Sequence, residues 1–157
     1  MYEKYFNLTA EPFRLSPDHR FCFKHGHYSK ARSYMAYAYR RAEGFVLITG
    51  EPGTGKTTLV GDLVESLSKE NVVIARLVST QLAADDLLRM VGFAFGVGTE
   101  VAEKSTILQL LNSRLLKWQR VGRRALLIVD EAQDLTPTAM EELRLLTNLQ
   151  QGGSPLV

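Results

Sequence analysis

The sequence has 157 residues, of which 45% are hydrophobic and 23% are charged. These proportions are typical of a globular domain and exclude a disordered, collagen-like or coiled-coil chain. Nineteen basic against seventeen acidic residues leave a net charge of +2, which is too small to indicate a nucleic-acid or anionic-membrane partner. The single cysteine, Cys22, excludes an internal disulfide and is typical of a reducing compartment. Apolar runs such as Ala125–Val129 are much too short to span a bilayer.

The first third of the chain predicts a lead-in segment, a helix, a strand and a second helix. Residues 1–25 contain two prolines and four phenylalanines, which predicts an irregular, aromatic-rich segment. Apolar spacing then indicates a helix over Gly26–Glu43. The apolar run Phe45–Ile48 predicts a short buried strand, and the next helix is expected to begin inside a glycine-rich loop and to end at about Lys69.

The alternation of strands and helices continues through the rest of the sequence. The expected elements are a strand over Val72–Val78, a helix over about Leu82–Phe95 with Thr80 as its N-cap, a helix between Ile107 and Trp118, a buried strand over Ala125–Val129, and a helix that Thr136-Pro137 opens and that ends near Gly152. Strands that alternate with helices of ten or more residues form βαβ units with a parallel sheet covered on both faces. The sequence therefore predicts an α/β fold.

A phosphate-binding loop lies between the first predicted strand and the helix after it. Gly50-Glu51-Pro52-Gly53-Thr54-Gly55-Lys56-Thr57 fits the pattern G-x-x-x-x-G-K-[ST]. Glycines in this pattern let several backbone N–H groups point into one concavity, and the helix adds its positive N-terminal end. Lys56 would reach the β- and γ-phosphates, and the Thr57 hydroxyl would coordinate Mg²⁺. Thr58 is expected to belong to the same nucleotide site.

An acidic pair follows the third predicted strand. Leu126–Val129 leads directly to Asp130 and Glu131, and the carboxyl end of a parallel strand is where ligands bind in α/β folds. We expect Asp130 to hold the metal beside the phosphates and Glu131 to orient and deprotonate the attacking water. An Asp-Glu pair in place of Asp-x-x-Gly, and the absence of an Asn-Lys-x-Asp motif from the sequence, argue against a GTPase.

Other polar and aromatic residues permit both a functional and a structural interpretation. Ser79 and Thr80 could hold Glu131 away from its water until a partner binds, or they could serve as a loop hydroxyl and a helix cap. The phenylalanines Phe13, Phe21 and Phe23 could line an adenine pocket or pack in the core. His25 and His27 are too isolated to predict a metal site.

Several segments resemble AAA+ ATPases of the general secretion pathway protein A type. They include Tyr5-Phe6-Asn7-Leu8-Thr9 followed by Pro12-Phe13, Gly44-Phe45 followed by Ile48-Thr49-Gly50-Glu51, Asp130-Glu131-Ala132-Gln133 and Glu142-Leu143-Arg144-Leu145-Leu146. The segment Val78-Ser79-Thr80-Gln81-Leu82 and the residues after it, to Leu88, are similar to the subgroup of secretion ATPases found in exosortase (PEP-CTERM) loci. The similarity extends over nearly the whole chain.

The resemblance implies a three-layer P-loop NTPase of the AAA+ (ASCE) type with a parallel sheet. Residues 1–44 would pack beside the nucleotide site, and residues 45–157 would form part of the ATPase core. The implied strand order is 5-1-4-3-2, so we expect the chain to stop before the fourth strand and to be nearly inactive by itself.

The same resemblance implies ATP and Mg²⁺ as cofactors. The implied function is ATP hydrolysis that drives secretion or the assembly of envelope and exopolysaccharide export machinery. The implied partners are further copies of the chain and secretion or envelope assembly proteins. The implied location is the cytoplasm, at the inner membrane through parts beyond Val157.

Three other functions stay open at this point. Related AAA+ proteins act as DNA-transposition helpers or origin-recognition factors, although the small net charge does not favour a nucleic-acid partner. Asp130-Glu131-Ala132-Gln133 also suits a superfamily 1 helicase, but its separation from the phosphate loop is short for such a core. A nucleotide-gated interaction module would bind ATP without hydrolysing it, and Glu131 argues against that function.

Overall fold

A computed structural model describes residues 2–9, 11, 22–42, 44–78, 81–98, 103–151 and 154–157. Its elements in chain order are α1 (Tyr2–Tyr5), α2 (Gly26–Arg41), α3 (Lys56–Leu67), β1 (Val72–Val78), α4 (Ala84–Ala94), α5 (Lys104–Arg120), β2 (Arg124–Asp130), a 3₁₀ turn (Ala132–Asp134), α6 (Pro137–Leu146), β3 (Gln150–Gln151) and β4 (Ser154–Pro155). Within the described part of the chain, no helix combines the length and the apolar composition needed to cross a membrane.

Strands β1 and β2 pair in parallel along their full length. The register runs from Val72 opposite Arg124 to Val78 opposite Asp130, and α4 and α5 form the connection between the strands. The prediction of β1 is confirmed at both ends, and β2 is one residue longer at each end than expected. The parallel register places the carboxyl ends of both strands at the same edge of the sheet.

Helices cover both faces of this strand pair. Ala75 and Leu77 are 2% and 3% exposed and join a core built with α4, α5 and α6. Ile74, the residue before Ala75, packs together with Leu126 on the other face against buried residues of α2 and α3. Successive strand residues point to opposite faces, so the alternation of residues between two cores shows helix, sheet and helix layers. The predicted α/β fold is confirmed.

The larger core, which we call core A, lies on the α4–α5–α6 side. Its most deeply buried large side chains are Leu87, Leu88, Val91, Leu111 and Leu115. Each fully buried aliphatic side chain of this size contributes about 1.5–3 kcal/mol to stability. The smaller core, core B, contains Tyr28, Met35, Leu59, Leu63 and Leu67 of α2 and α3. Core A therefore fixes β1 and β2, and core B fixes α3.

The expected first strand, Phe45–Ile48, does not form. Phe45, Val46 and Leu47 are 54%, 49% and 65% exposed, and no described residue pairs with this segment. A strand needs a hydrogen-bonded neighbour, and the strand order that the resemblance implies gives this segment only the fourth and fifth strands as neighbours. The described residues contain no third parallel strand.

Strand β2 is less buried than expected for the same reason. All seven of its residues are partly exposed, because β2 has a hydrogen-bonded partner along one edge only among the described residues. The prediction of a buried strand at Ala125–Val129 is therefore wrong in burial, although it is confirmed in position.

The start of α4 and the end of α6 differ from expectation. α4 begins at Ala84 with Ala83 as its N-cap, so Thr80, which lies outside the described residues, is not its cap. α6 begins as expected, with the Thr136 hydroxyl accepting a hydrogen bond from Ala139 N–H and proline at the first position. It ends at Leu146 rather than near Gly152, because the chain turns back and β3 pairs antiparallel with β4.

Candidate functional site

The glycine-rich loop has the backbone conformation that its sequence predicts. Gly53 and Gly55 have φ values of 78° and 86°, in the left-handed region that favours glycine. A Cβ atom at Gly50 would lie 2.9 Å from the Thr54 hydroxyl oxygen, so a larger residue would displace the loop. Gly55 is the N-cap of α3. The loop therefore leads directly into a helix N-terminus.

Polar contacts within the loop fix its shape. The Thr54 hydroxyl donates to the Glu51 carbonyl at 2.8 Å. Lys56 Nζ donates to the carbonyls of Gly50 and Glu51 at 2.8 and 3.1 Å. The ammonium group therefore lies against the backbone of the loop that precedes its own helix.

The loop and the first turn of α3 fit a bound phosphate group. Gly55 has no side chain that could cap the helix, and the first N–H groups of a helix have no acceptor within it. These groups and the positive helix end attract anions. Gly50, Glu51, Pro52, Gly53 and Thr54 are exposed, while Gly55, Lys56, Thr57 and Thr58 are half-buried. The loop is thus open to a ligand on one side and anchored on the other.

The structure brings the two predicted metal ligands together. The Thr57 hydroxyl of α3 lies 3.4 Å from Asp130 Oδ2 at the end of β2. Mg²⁺ binds oxygen ligands at about 2.0–2.1 Å, so two ligands of one ion lie at most about 4.2 Å apart. Within the described ranges, no three His, Cys, Asp or Glu side chains converge. One hydroxyl and one carboxylate fit Mg²⁺ bound together with phosphates and water, its usual arrangement in nucleotide enzymes.

Arg76 is a site residue that the sequence analysis missed. Its Nη2 atom donates to Asp130 Oδ2 at 2.9 Å, and the Asp130 Oδ1 atom accepts from the Glu131 N–H at 3.2 Å. The available signal was an arginine inside the otherwise apolar strand Val72–Val78. Its relation to Asp130 depends on the register of β1 against β2, which the sequence does not reveal.

Glu131 has an unusual backbone conformation. Its φ and ψ are 53° and 40°, in the left-handed region that side chains other than glycine, asparagine and aspartate rarely adopt. Its carboxylate is exposed and accepts a hydrogen bond from Gln133 Nε2. Strained residues of this kind concentrate at functional sites. The turn places Glu131 next to Asp130 at the sheet edge, where a catalytic base is predicted.

A buried carboxylate joins α2 to α3. Asp62 is 6% exposed, and its Oδ2 atom accepts hydrogen bonds from Arg32 Nε at 2.6 Å and from the Tyr28 hydroxyl at 3.2 Å. Lys24 Nζ lies 4.0 Å from Oδ1. We call these four residues the Asp62 cluster. They hold the helix that follows the phosphate loop against α2.

The Asp62 cluster shifts the pKa of two of its members. Burial raises the pKa of Asp62, but the hydrogen bond and charge of Arg32, with Lys24 and Tyr28, outweigh burial and hold the pKa below its ordinary value. Burial, followed by the negative charge of Asp62, raises the pKa of Tyr28 to about 12. Asp62 is therefore ionised, and Tyr28 is protonated, across the neutral range.

The remaining candidates from the sequence either lie outside the described residues or make contacts elsewhere. Ser79, Thr80, Phe13 and Phe21 lie outside the described residues. Phe23 is 83% exposed and packs neither in the core nor in a described pocket. His25 Nδ1 accepts from the Tyr28 N–H at the start of α2, which is a helix-capping role.

Comparisons with known proteins identify the family of the chain. A family model described as an AAA domain matches residues 39–157, which include the phosphate loop, both strands of the parallel pair and the acidic residues. The general secretion pathway protein A of Aeromonas hydrophila is 36% identical over 151 residues. The match covers 96% of this chain and 27% of that protein, so the chain spans about a quarter of the length of this relative. No solved structure matches. The chain belongs to the AAA family of P-loop NTPases.

Proposed function

We propose that this chain binds ATP together with Mg²⁺ and hydrolyses it as the motor module of an AAA+ ATPase. The observation that carries the proposal is the approach of the Thr57 hydroxyl to the Asp130 carboxylate at 3.4 Å. It joins the end of the phosphate loop to the end of β2, 73 residues further along the chain. Two sequence motifs that are separate in the chain thereby form one site.

Each predicted site residue has a distinct role in this proposal. The N–H groups of the loop and of the first turn of α3 bind the phosphates, and Lys56 turns from the loop carbonyls to the β- and γ-phosphates. Thr57 and Asp130 hold the metal. Bound Mg²⁺ neutralises charge on the transferring phosphoryl group. Glu131 orients the attacking water and accepts its proton.

Secretion is the cellular setting that we propose. It rests on the similarity to a general secretion pathway protein A, and further copies of the chain and secretion or envelope assembly proteins are the partners it suggests. We place the protein in the cytoplasm, attached to the inner membrane through other parts of the protein. The exosortase subgroup stays a prediction from the Val78–Leu88 segment.

The division of the chain is part of the same proposal. Residues 1–44 form an element that packs beside the nucleotide site, and residues 45–157 form the ATPase core. The Asp62 cluster supports the packing of the first part on the second, because it joins α2 to α3. Nucleotide binding at the loop would therefore affect the N-terminal element through the contacts of α3 with α2.

The substitution Glu131→Gln tests hydrolysis separately from binding. Glutamine keeps the shape of the side chain but cannot accept a proton. In the full-length protein, the substitution should therefore lower ATP turnover roughly 10²–10⁴-fold relative to the native protein. ATP affinity should stay within about twofold, since Glu131 is not a phosphate ligand. Glu141→Gln, an exposed carboxylate on α6, is the matched control and should leave turnover unchanged.

Three outcomes would contradict the proposal in whole or in part. Turnover at the native rate in Glu131→Gln would place the catalytic base elsewhere. A native protein that binds ATP tightly but never hydrolyses it, even as an oligomer, would favour the nucleotide-gated interaction module. Salt-dependent binding of DNA by the full-length protein would instead favour the transposition or origin-recognition function.

A further inference from the structure

Arg76 and Thr57 contact the same oxygen of Asp130. Arg76 Nη2 lies 2.9 Å from Asp130 Oδ2, and the Thr57 hydroxyl lies 3.4 Å from that atom. The guanidinium contact is the shorter of the two and is charge-assisted. The oxygen that is expected to bind Mg²⁺ is thus held by a cation of the protein itself.

The register of the strands fixes this arrangement. Val78 lies directly opposite Asp130, and Arg76, two residues earlier on β1, points to the same face as Val78. Leu126, which shares the face of Asp130 by the same alternation, packs against core B and therefore faces α3. Arg76, Asp130 and Thr57 consequently meet on the α3 side of the sheet.

We propose that Arg76 sets the affinity of the nucleotide site for Mg²⁺ by competing with the cation for Asp130 Oδ2. The inference rests on the proposed function, since it requires Asp130 to be a metal ligand. Arg76 acts through Asp130 and is a positioning residue rather than a catalytic one. Its side chain is 44% exposed and that of Asp130 is 23% exposed, so the guanidinium can be released into water without burial of its charge.

The sign of the effect follows from charge. A guanidinium on Oδ2 occupies a lone pair that the metal would use, and its positive charge repels a divalent cation nearby. The substitution Arg76→Gln removes both effects and should strengthen Mg²⁺ binding. An ion pair of this exposure is worth little in water, so the strengthening should be roughly two- to fivefold.

The experiment measures how strongly Mg²⁺ and nucleotide favour each other's binding. The dissociation constant of the fluorescent analogue mant-ATP is determined for the native full-length protein with Mg²⁺ and with EDTA. The coupling factor is the constant in EDTA divided by the constant in Mg²⁺. Arg76→Gln should raise this factor roughly two- to fivefold, with the EDTA value unchanged. Arg76→Lys keeps the charge and should stay near the native factor.

Two further variants make the test specific. Arg120→Gln removes an exposed charge at the end of α5. The length of β2 places Arg120 about 20 Å from Asp130, which is beyond the screening length of about 8–10 Å. The coupling factor should therefore not change. In an Asp130→Asn background, Arg76→Gln should have no further effect, because the competition requires the carboxylate.

Each failure has a distinct meaning. A coupling factor that is unchanged or lowered in Arg76→Gln, while native protein still binds mant-ATP more tightly with Mg²⁺, overturns the role of Arg76 and leaves the proposed function intact. Weaker binding of mant-ATP in EDTA would show that Arg76 contacts the nucleotide itself and would likewise overturn the competition. A native protein that does not bind mant-ATP overturns the proposed function and this inference with it.

Discussion

The two halves of the nucleotide site are held in place by different kinds of structure. Asp130 ends β2 and Glu131 follows it, and β2 pairs with β1 along seven residues and packs on core A. Lys56 and Thr57 begin α3, which is fixed by core B on the other face of the sheet and by the Asp62 cluster. The segment that leads into the loop has exposed apolar side chains and no ladder partner among the described residues.

This difference indicates that the acidic half is built by burial and strand pairing, while the phosphate half depends on one helix and its polar anchor. The long contact between Thr57 and Asp130, 3.4 Å, is weak as a hydrogen bond. Bound Mg²⁺ and phosphate would join the halves more strongly than the protein alone does. Substitutions in the two halves should therefore differ in size and in pH dependence.

The largest effect is expected in core A. Leu111→Ala removes a side chain that is 1% exposed, and we expect the free energy of unfolding to fall by about 2–5 kcal/mol. Its neighbour Leu110 is 44% exposed, so Leu110→Ala should change the free energy by less than about 0.5 kcal/mol. Chemical denaturation of both variants measures the difference. Equal effects would show that α5 packs on the sheet through another face.

A smaller effect with a defined pH dependence is expected at the Asp62 cluster. Asp62→Asn removes the buried charge, and we expect the free energy of unfolding at neutral pH to fall by about 1–3 kcal/mol. The loss should lie toward the lower end of this range because the Arg32 side chain is 35% exposed. The pKa of Asp62 is lowered in the folded protein, so its contribution is fully present above the unfolded pKa of about 3.9 and is lost as the pH falls through the folded value.

Denaturation of native protein and Asp62→Asn between pH 7 and pH 2 tests this sign. The difference in unfolding free energy should be constant down to about pH 5 and should shrink as the solution becomes more acidic. Tyr28→Phe removes one hydrogen bond to the Asp62 carboxylate but no charge, so its loss in unfolding free energy should be smaller and should shrink less on acidification. A difference that grows on acidification would mean that the charge of Asp62 destabilises the fold.

The smallest effect is expected in the segment before the loop. Leu47 is 65% exposed, so Leu47→Ala should change the free energy of unfolding by less than about 0.5 kcal/mol. Leu77 on β1 is 3% exposed, and Leu77→Ala should lower it by about 2–5 kcal/mol. A large loss in Leu47→Ala would show that the segment is buried in a strand of the native protein.

The fold class and most element positions could be predicted from the sequence because they depend on local patterns. Periodicity located β1, and Thr136-Pro137 marked the start of α6. The exposure of Phe45–Leu47 could not be predicted, because an apolar run indicates a buried strand only if a neighbouring strand is available to pair with it. The absence of a neighbouring strand among the described residues therefore outweighed the local preference of this segment for a strand.

The candidate site was likewise predictable where it depends on local sequence and unpredictable where it depends on long-range contacts. The loop motif predicted its own glycine conformations, since the left-handed φ values of Gly53 and Gly55 are local properties. Arg76 and the Asp62 cluster were missed, because each depends on contacts between residues 30 or more positions apart. The proximity of Thr57 to Asp130 was expected only because the two motifs occur together in one fold.

The central claim is that the two halves form one site for ATP and Mg²⁺. The most direct test measures ATP affinity of the native full-length protein, Lys56→Ala and Asp130→Asn, each with and without Mg²⁺. Lys56→Ala should weaken ATP binding roughly ten- to a hundredfold in both conditions, because charge-assisted hydrogen bonds to phosphate are lost. Asp130→Asn should match the native protein without Mg²⁺ and lose the strengthening by Mg²⁺. Unchanged affinity in Lys56→Ala, or a full Mg²⁺ effect in Asp130→Asn, would contradict the claim.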